Sequence, residues 1–234
     1  MTNITITAAD KTGSFSVYTA APKSSTGPAV VVIQEIFGVN YNVRSICDWL
    51  ADEGFFAFAP DLFWRQKPGI ELEAKNPEEL QAAFGYMKAF DGQKGLDDIQ
   101  TTINHARSVS GVNGKVGAVG YCLGGYLAYM TAAKTDIDAS VGYYGVSLDT
   151  KIDEAKTIKK PLMLHIAEKD GFVSPEAQAA MHKGLDDHPA VTLYDYAGVD
   201  HGFARIEGSA YHKEAATLAN KRTIDFFNKH LKGA

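Results

Sequence analysis

The chain has 234 residues, of which 45% are hydrophobic and 22% charged, and its formal net charge is −5 at pH 7. This length and composition are typical of one globular domain over residues 1–234, which needs no disulfide or metal ion to stabilise its core. The acidic charge argues against a nucleic-acid partner, and the lack of an apolar run of about 18 residues argues against a membrane span.

Short β-rich runs alternate with helical patterns along the chain. This alternation predicts an α/β fold with a mostly parallel central sheet and helices on both of its faces. The predicted strands cover residues 4–10, 14–20, 29–36, 55–63, 115–121, 139–146, 161–168 and 191–196. The predicted helices cover residues 42–54, 76–91, 95–109, 123–134, 174–185 and 209–231.

Local signals set several of these boundaries. The first two strands are separated by a short polar segment, which predicts a hairpin. Pro60 stops the fourth strand, because proline cannot donate a hydrogen bond within a sheet. Asn76 followed by Pro77 is typical of a helix start, in which a capping residue precedes a proline at the first helical position.

The N-terminus and the two cysteines narrow the class of protein. The N-terminal sequence lacks a basic start followed by an apolar run, so we expect no signal peptide and a cytoplasmic location. Cys47 and Cys122 are the only cysteines, and no CxxC or Cys/His cluster is present, so we expect no metal site. Cys47 shares a helical spacing with Ile46 and Leu50, which is typical of a core residue.

The second cysteine lies in a glycine-rich motif, Gly-Tyr-Cys-Leu-Gly-Gly, over residues 120–125. This is the pattern of a nucleophile elbow, with cysteine in place of serine between a strand and a helix. Glycines on both flanks relieve the clashes of such a sharp turn, and a helix N-terminus favours the thiolate form of cysteine. The alternative is that Cys122 is only a buried small residue in a glycine-rich turn.

An elbow of this kind requires an acid and a histidine later in the chain, in that order. Asp170 follows the predicted strand 161–168, and His201 follows the predicted strand 191–196. Taken singly, each could be an ordinary loop residue. Their order and their positions at the carboxyl ends of strands, where parallel sheets bind ligands, predict a Cys122–Asp170–His201 triad. Asp200 adjoins His201 but should point away from it.

The six other histidines lie mostly within predicted helices, and we expect them to lack comparable partners. Two further functions keep the same fold. In one, the protein does not catalyse and Cys122 is a redox sensor that oxidises reversibly, although no resolving cysteine is evident. In the other, the protein binds a macromolecular partner, although no large apolar stripe is left for it.

Five segments carry a further signal: QEIFGVN at 34–40, APDLFWRQ at 59–66, VGYCLGG at 119–125, VGYYGV at 141–146 and HGFARIEGSAY at 201–211. Together they resemble dienelactone hydrolase, also called carboxymethylenebutenolidase, along nearly the whole chain. The resemblance implies an α/β-hydrolase fold, no cofactor and a small-molecule enol lactone or ester as substrate. We expect a monomer or a weak homo-oligomer.

The resemblance also assigns roles to further residues. It implies that Glu35 activates the thiol, that Arg205 binds a substrate carboxylate, and that the backbone N–H groups of Ile36 and Leu123 form the oxyanion hole. The sequence agrees with the first two roles. Glu35 lies where an apolar strand ends, and Arg205 follows His201 closely enough to share the site and pair with Glu35.

One segment departs from the family. The resemblance places a second substrate-binding arginine, a tyrosine and a tryptophan in the 76–91 helix, and this chain has Leu80, Phe84 and Met87 there. One guanidinium–carboxylate contact, about 1.5–3 kcal/mol, is therefore lost. We expect a more hydrophobic lactone or ester as substrate, with Phe84 in the pocket. Phe37 and Tyr144 are further pocket candidates, because they adjoin the motifs.

The thiol itself restricts the substrate. A thiolate is a weaker base than an alkoxide, so the tetrahedral adduct expels it again unless the substrate's own leaving group departs easily. An enolate is such a group, whereas an amide nitrogen is not. We therefore predict a cofactor-independent cysteine hydrolase of enol lactones or other activated esters that acts through a thioester, with His201 as the general base for water.

Overall fold

One eight-stranded sheet runs through the structure. A computed structural model describes residues 2–206 and 208–233 of the chain. The strands are β1 Thr2–Thr7, β2 Ser14–Ala20, β3 Gly27–Ile33, β4 Phe56–Pro60, β5 Val112–Tyr121, β6 Ala139–Tyr143, β7 Leu162–Ala167 and β8 Val191–Tyr196. The α-helices are α1 Tyr41–Asp52, α2 Pro77–Lys88, α3 Gly92–Ser108, α4 Leu123–Lys134, α5 Pro175–Leu185 and α6 Lys213–Phe227. A 3₁₀ helix covers Leu148–Thr157, and a π-helical turn covers Asn228–Lys232.

The strand order is β1-β2-β4-β3-β5-β6-β7-β8. The predicted hairpin is confirmed, since β1 and β2 pair antiparallel, and β2 also pairs antiparallel with β4. All pairings from β4 to β8 are parallel, which confirms the mostly parallel sheet. The loops that follow β3, β5, β7 and β8 therefore meet at one edge of the sheet.

Helices cover both faces of this sheet. Gly117 and Gly120 lie three residues apart on β5, so they face opposite sides. A Cβ atom on Gly117 would lie 2.9 Å from the ring of Phe227, at the end of α6. A Cβ atom on Gly120 would lie 1.9 Å from the carbonyl oxygen of Gly124, in α4. The layered arrangement predicted from the alternation of strands and helices is thus confirmed.

Several element boundaries differ from the predicted ones because side chains cap the helices. The helix predicted from residue 95 begins at Gly92, since the Asp91 side chain accepts hydrogen bonds from the next backbone N–H groups. The helix predicted from residue 209 begins at Lys213, with His212 as its capping residue. The 3₁₀ helix Leu148–Thr157 was not predicted. The predicted Asn76 cap of α2 is confirmed.

The core consists of the strand residues and the apolar faces of the helices that cover them. Cys47 is fully buried in it, as predicted, and burial raises the pKa of its thiol well above the usual range, with the nearby Asp48 charge adding to the effect. No helix among the described residues has the length and apolar character needed to cross a bilayer.

Candidate active site

Cys122 lies at a sharp turn between β5 and α4. Its backbone has φ 57° and ψ −116°, a combination that residues other than glycine rarely adopt. Its N–H donates to the carbonyl of Tyr143 at 3.1 Å, which fixes the turn against β6. Only glycine fits beside it, because a Cβ on Gly124 would lie 2.3 Å from the carbonyl oxygen of Ile33. The predicted elbow geometry is therefore present.

Two backbone N–H groups near Cys122 have no acceptor among the described residues. They belong to Leu123, the first residue of α4, and to Ile36, in the segment after β3. The positive end of the α4 dipole lies at the same place, because α4 begins directly after Cys122. Unpaired N–H groups at a helix N-terminus can stabilise an oxygen that becomes negatively charged.

His201 and Asp170 form a buried hydrogen-bonded pair. Nδ1 of His201 lies 3.0 and 2.9 Å from the two carboxylate oxygens of Asp170. The side chains are 7% and 1% exposed. Asp200 points away from the ring, as expected, since its Oδ1 accepts from the backbone N–H groups of Gly171 and His201. The two loops after β7 and β8 are thereby tied together.

The surroundings of His201 favour its protonated form. Burial opposes the charge, but the hydrogen bond to Asp170 and the proximity of the Cys122 sulfur raise the pKa of His201 to about 10. Its Nε2 atom is buried and has no hydrogen-bond partner among the described residues. The ring therefore presents a free N–H group on the side away from Asp170.

The expectation that the other histidines lack comparable partners is wrong for His182, which lies beside two carboxylates. His182, on α5, lies 2.9 Å from Asp186 and 3.1 Å from Asp195, in a partly exposed position. His165, on β7, is buried, and its ring nitrogens are hydrogen-bonded to hydroxyl groups. Asp186 lies four residues after His182, a spacing that the sequence contains, whereas Asp195 and the partners of His165 come from neighbouring elements of the folded chain.

Glu35 and Arg205 form a second buried pair. The guanidinium group donates two hydrogen bonds to the carboxylate, from Nε at 2.8 Å and from Nη2 at 2.7 Å. The Glu35 side chain is 1% exposed, and the guanidinium lies over the ring of Phe37 at 4.9 Å. Burial opposes the charge on Arg205, but Glu35 raises the pKa of the guanidinium overall. The predicted pairing of these two residues is present.

A cavity of about 460 Å³ opens onto Cys122 and His201. Its walls include the predicted residues Ile36, Phe37, Leu80, Phe84, Met87 and Arg205. The α2 side chains make this wall apolar, as the sequence of the 76–91 helix suggested. The segment that departs from the resemblance therefore lines the cavity that holds Cys122.

The positions of two aromatic residues relative to the cavity differ from those expected from the sequence. Tyr144 does not line this cavity; it is buried behind His201, with a distance of 4.9 Å between the ring centroids. Phe172, which the sequence analysis missed, lines the cavity and is 62% exposed. Its position two residues after Asp170 was the only signal in the sequence. Among the described residues, no group of three or more His, Cys, Asp or Glu side chains could hold a metal ion.

The parallel sheet, the elbow after β5 and the loops after β7 and β8 define an α/β hydrolase. The sequence model of the Dienelactone hydrolase family matches residues 15–231. The chain therefore belongs to the dienelactone hydrolase family, and it is a carboxylic ester hydrolase of that type.

Similar proteins cover more than nine-tenths of the chain. A protein of Azospirillum brasilense is 46% identical over 99% of this chain and all of its own length. The carboxymethylenebutenolidase of Pseudomonas putida is 39% identical over 91% of this chain and 90% of its own. A crystal structure of a Klebsiella pneumoniae protein superimposes with a TM-score of 0.81 at 26% identity and covers 98% of this chain and all of its own.

Proposed function

We propose that the protein hydrolyses enol lactones or other activated esters with Cys122 as nucleophile, through a thioester. The observation that carries this proposal is the position of Cys122. It lies in a strained turn at the start of α4, beside the His201–Asp170 pair and two backbone N–H groups that have no acceptor in the described part of the chain. A thiol between an oxyanion-binding site and a charged histidine has the groups that acyl transfer requires.

In the acylation step, the sulfur of Cys122 bonds to the substrate carbonyl carbon. Glu35 takes the thiol proton when the incoming substrate draws Arg205 away from it. The N–H groups of Ile36 and Leu123 bind the resulting oxyanion. The carbon–oxygen bond of the ester then breaks, and the leaving enolate takes a proton from Nε2 of His201, whose charged form the hydrogen bond to Asp170 stabilises.

In the deacylation step, the now neutral His201 removes a proton from water. The hydroxide attacks the thioester carbon, the carbon–sulfur bond breaks, and the thiolate recovers its proton from Glu35. Asp170 holds the ring orientation throughout and stabilises its charged form. At the end of the cycle His201 is again charged, Glu35 is again ionised and Cys122 is again a thiol.

The cavity wall favours a substrate less polar than a lactone with a carboxylate. Leu80, Phe84 and Met87 contribute apolar surface, and Arg205 is the only arginine or lysine that lines the cavity among the described residues. Arg205 is already paired with Glu35. We therefore propose that a neutral, hydrophobic lactone or aryl ester is bound more readily than a carboxylate-bearing one.

Hydrolysis assays on two kinds of substrate test this function. We expect Cys122→Ala to lower kcat/KM for p-nitrophenyl acetate by at least about 10³-fold, because the nucleophile is lost. The wild type is compared on cis- and trans-dienelactone. Fast turnover of dienelactone would mean that Arg205 alone holds the carboxylate, whereas cleavage of the neutral ester alone would support the hydrophobic substrate. Undiminished turnover by Cys122→Ala would contradict the proposal.

A further inference from the structure

Two exposed phenylalanines face each other at the mouth of the catalytic cavity. Phe84 lies on α2 and Phe172 in the loop after β7, and their ring centroids are 6.3 Å apart at an interplanar angle of 45°. Phe172 is 62% and Phe84 is 38% exposed, and both line the cavity that holds Cys122. Large apolar side chains that stay exposed within a cavity are typical of a surface that a ligand covers.

Phe172 lies on the side of the cavity where the leaving group departs. Its ring contacts the ring of His201 edge-on, with centroids 4.9 Å apart. In the proposed mechanism His201 gives its proton to the leaving oxygen, so that oxygen and the atoms attached to it lie close to Phe172. The backbone N–H of Phe172 donates to Oδ1 of Asp170 at 2.9 Å, which fixes the start of this side chain relative to the catalytic pair.

The chemistry of a thiol nucleophile indicates what these rings bind. A thioester forms only if the leaving group carries negative charge easily, and enolates and phenolates do so because the charge is delocalised over a conjugated system. Such groups are planar. Aromatic rings favour contact with another π system, in offset-stacked or edge-on arrangements, over contact with a saturated group of similar size.

We propose that Phe84 and Phe172 form an aromatic subsite that binds the planar, conjugated leaving group of the substrate, an enolate or a phenolate. This inference rests on the proposed function and deepens it. It places the leaving group between α2 and the β7–α5 loop, beside His201. Within the activated esters, it favours cyclic enol lactones and acyclic aryl and vinyl esters over esters with a saturated leaving group.

Two acetate esters test the subsite. Phenyl acetate and hexafluoroisopropyl acetate share an acyl group and have leaving groups of similar acidity, but only the phenolate is planar and conjugated. We expect Phe172→Ala and Phe172→Leu to lower kcat/KM for phenyl acetate about three- to tenfold and to change that for hexafluoroisopropyl acetate less than about twofold. Phe84→Ala should also lower the ratio of kcat/KM for phenyl acetate to that for hexafluoroisopropyl acetate. Phe172→Tyr, which keeps the ring, should preserve this ratio.

The controls separate this subsite from the hydrolase chemistry itself. Leu218→Ala removes an exposed apolar side chain on α6, which lines none of the cavity, and should leave both esters unchanged. An equal fall for the two esters in the Phe172 variants would overturn the subsite, because Phe172 would then act only by supporting His201. Unchanged kcat/KM for both esters in these variants would overturn the subsite as well. If the wild type cleaves neither these esters nor dienelactone, the proposed function fails, and cleavage of dienelactone alone would overturn only the subsite. Ester cleavage that Cys122→Ala abolishes leaves the function intact whatever the ratio.

Discussion

Two buried histidines in the same half of the sheet have opposite charge states at neutral pH. His201, in the loop after β8, has its pKa raised to about 10, whereas His165, within β7, has its pKa lowered to about 3. Both side chains are largely shielded from water. Burial alone therefore does not decide whether a histidine in this protein is charged.

The hydrogen-bond partners make the difference. His201 bonds to the carboxylate of Asp170, which stabilises the positive ring. His165 bonds to two hydroxyl groups, Tyr196 at 2.8 Å and Thr223 at 3.0 Å. Burial lowers the pKa of His165 first, and the nearby charge of Arg222 lowers it further. The first histidine is suited to donate a proton to a leaving group, and the second is a neutral part of the core.

Removing the carboxylate should have the largest effect. We expect Asp170→Asn to lower kcat/KM for p-nitrophenyl acetate on the order of 10³-fold, because the ring loses its orientation and its charge. Since His201 is charged below its pKa, activity in the wild type should fall as the pH rises through about 10. The same fall should occur at lower pH in Asp170→Asn, as pH–rate profiles would measure.

The neighbouring carboxylate supplies the control for that experiment. Asp200 accepts backbone hydrogen bonds and does not contact the His201 ring as Asp170 does. Asp200→Asn should therefore show the same fall in activity at high pH as the wild type. The explanation of the His201 charge is wrong if both variants lose activity to the same extent. It is also wrong if the activity of Asp170→Asn falls only near pH 10, as in the wild type.

The neutral histidine should make the fold sensitive to acid. Below the ordinary histidine pKa of about 6.5, the unfolded chain binds a proton at residue 165 that the folded chain excludes down to about pH 3. This site should remove up to about 1.4 kcal/mol of unfolding free energy for each pH unit below 6.5. His165→Gln should flatten that slope in urea titrations between pH 4.5 and 6.5. Equal slopes in the wild type and in His165→Gln would contradict the prediction.

Removing a hydroxyl partner of His165 should have the smallest effect. We expect Thr223→Val to lower the free energy of unfolding by about 1–3 kcal/mol, because one ring nitrogen of the buried histidine then has no partner. Tyr143 keeps its bond to Asn220. Thr223→Ser, which retains the hydroxyl, should lose less. Chemical denaturation measures both, and a Thr223→Val variant as stable as the wild type would mean that the bond contributes nothing.

The sequence by itself determined most of the fold and the order of the catalytic candidates. Strand and helix patterns predicted a mostly parallel sheet, because their periodicity is local and depends on which face is buried. The glycine frame around Cys122 predicted the turn, since few other sequences can adopt it. Asp170 and His201 were predictable because the carboxyl ends of parallel strands meet at one edge of the sheet.

Only the tertiary structure decided how side chains from distant segments meet. Phe172 faces Phe84 across the cavity, while Tyr144, a pocket candidate from its motif, lies behind His201. Nothing in the spacing of His165 indicated its partners, which come from β8 and α6. Charge and contact depend on distances in space, which local sequence patterns do not encode. The charge of each histidine in this protein is for that reason a property of the folded chain.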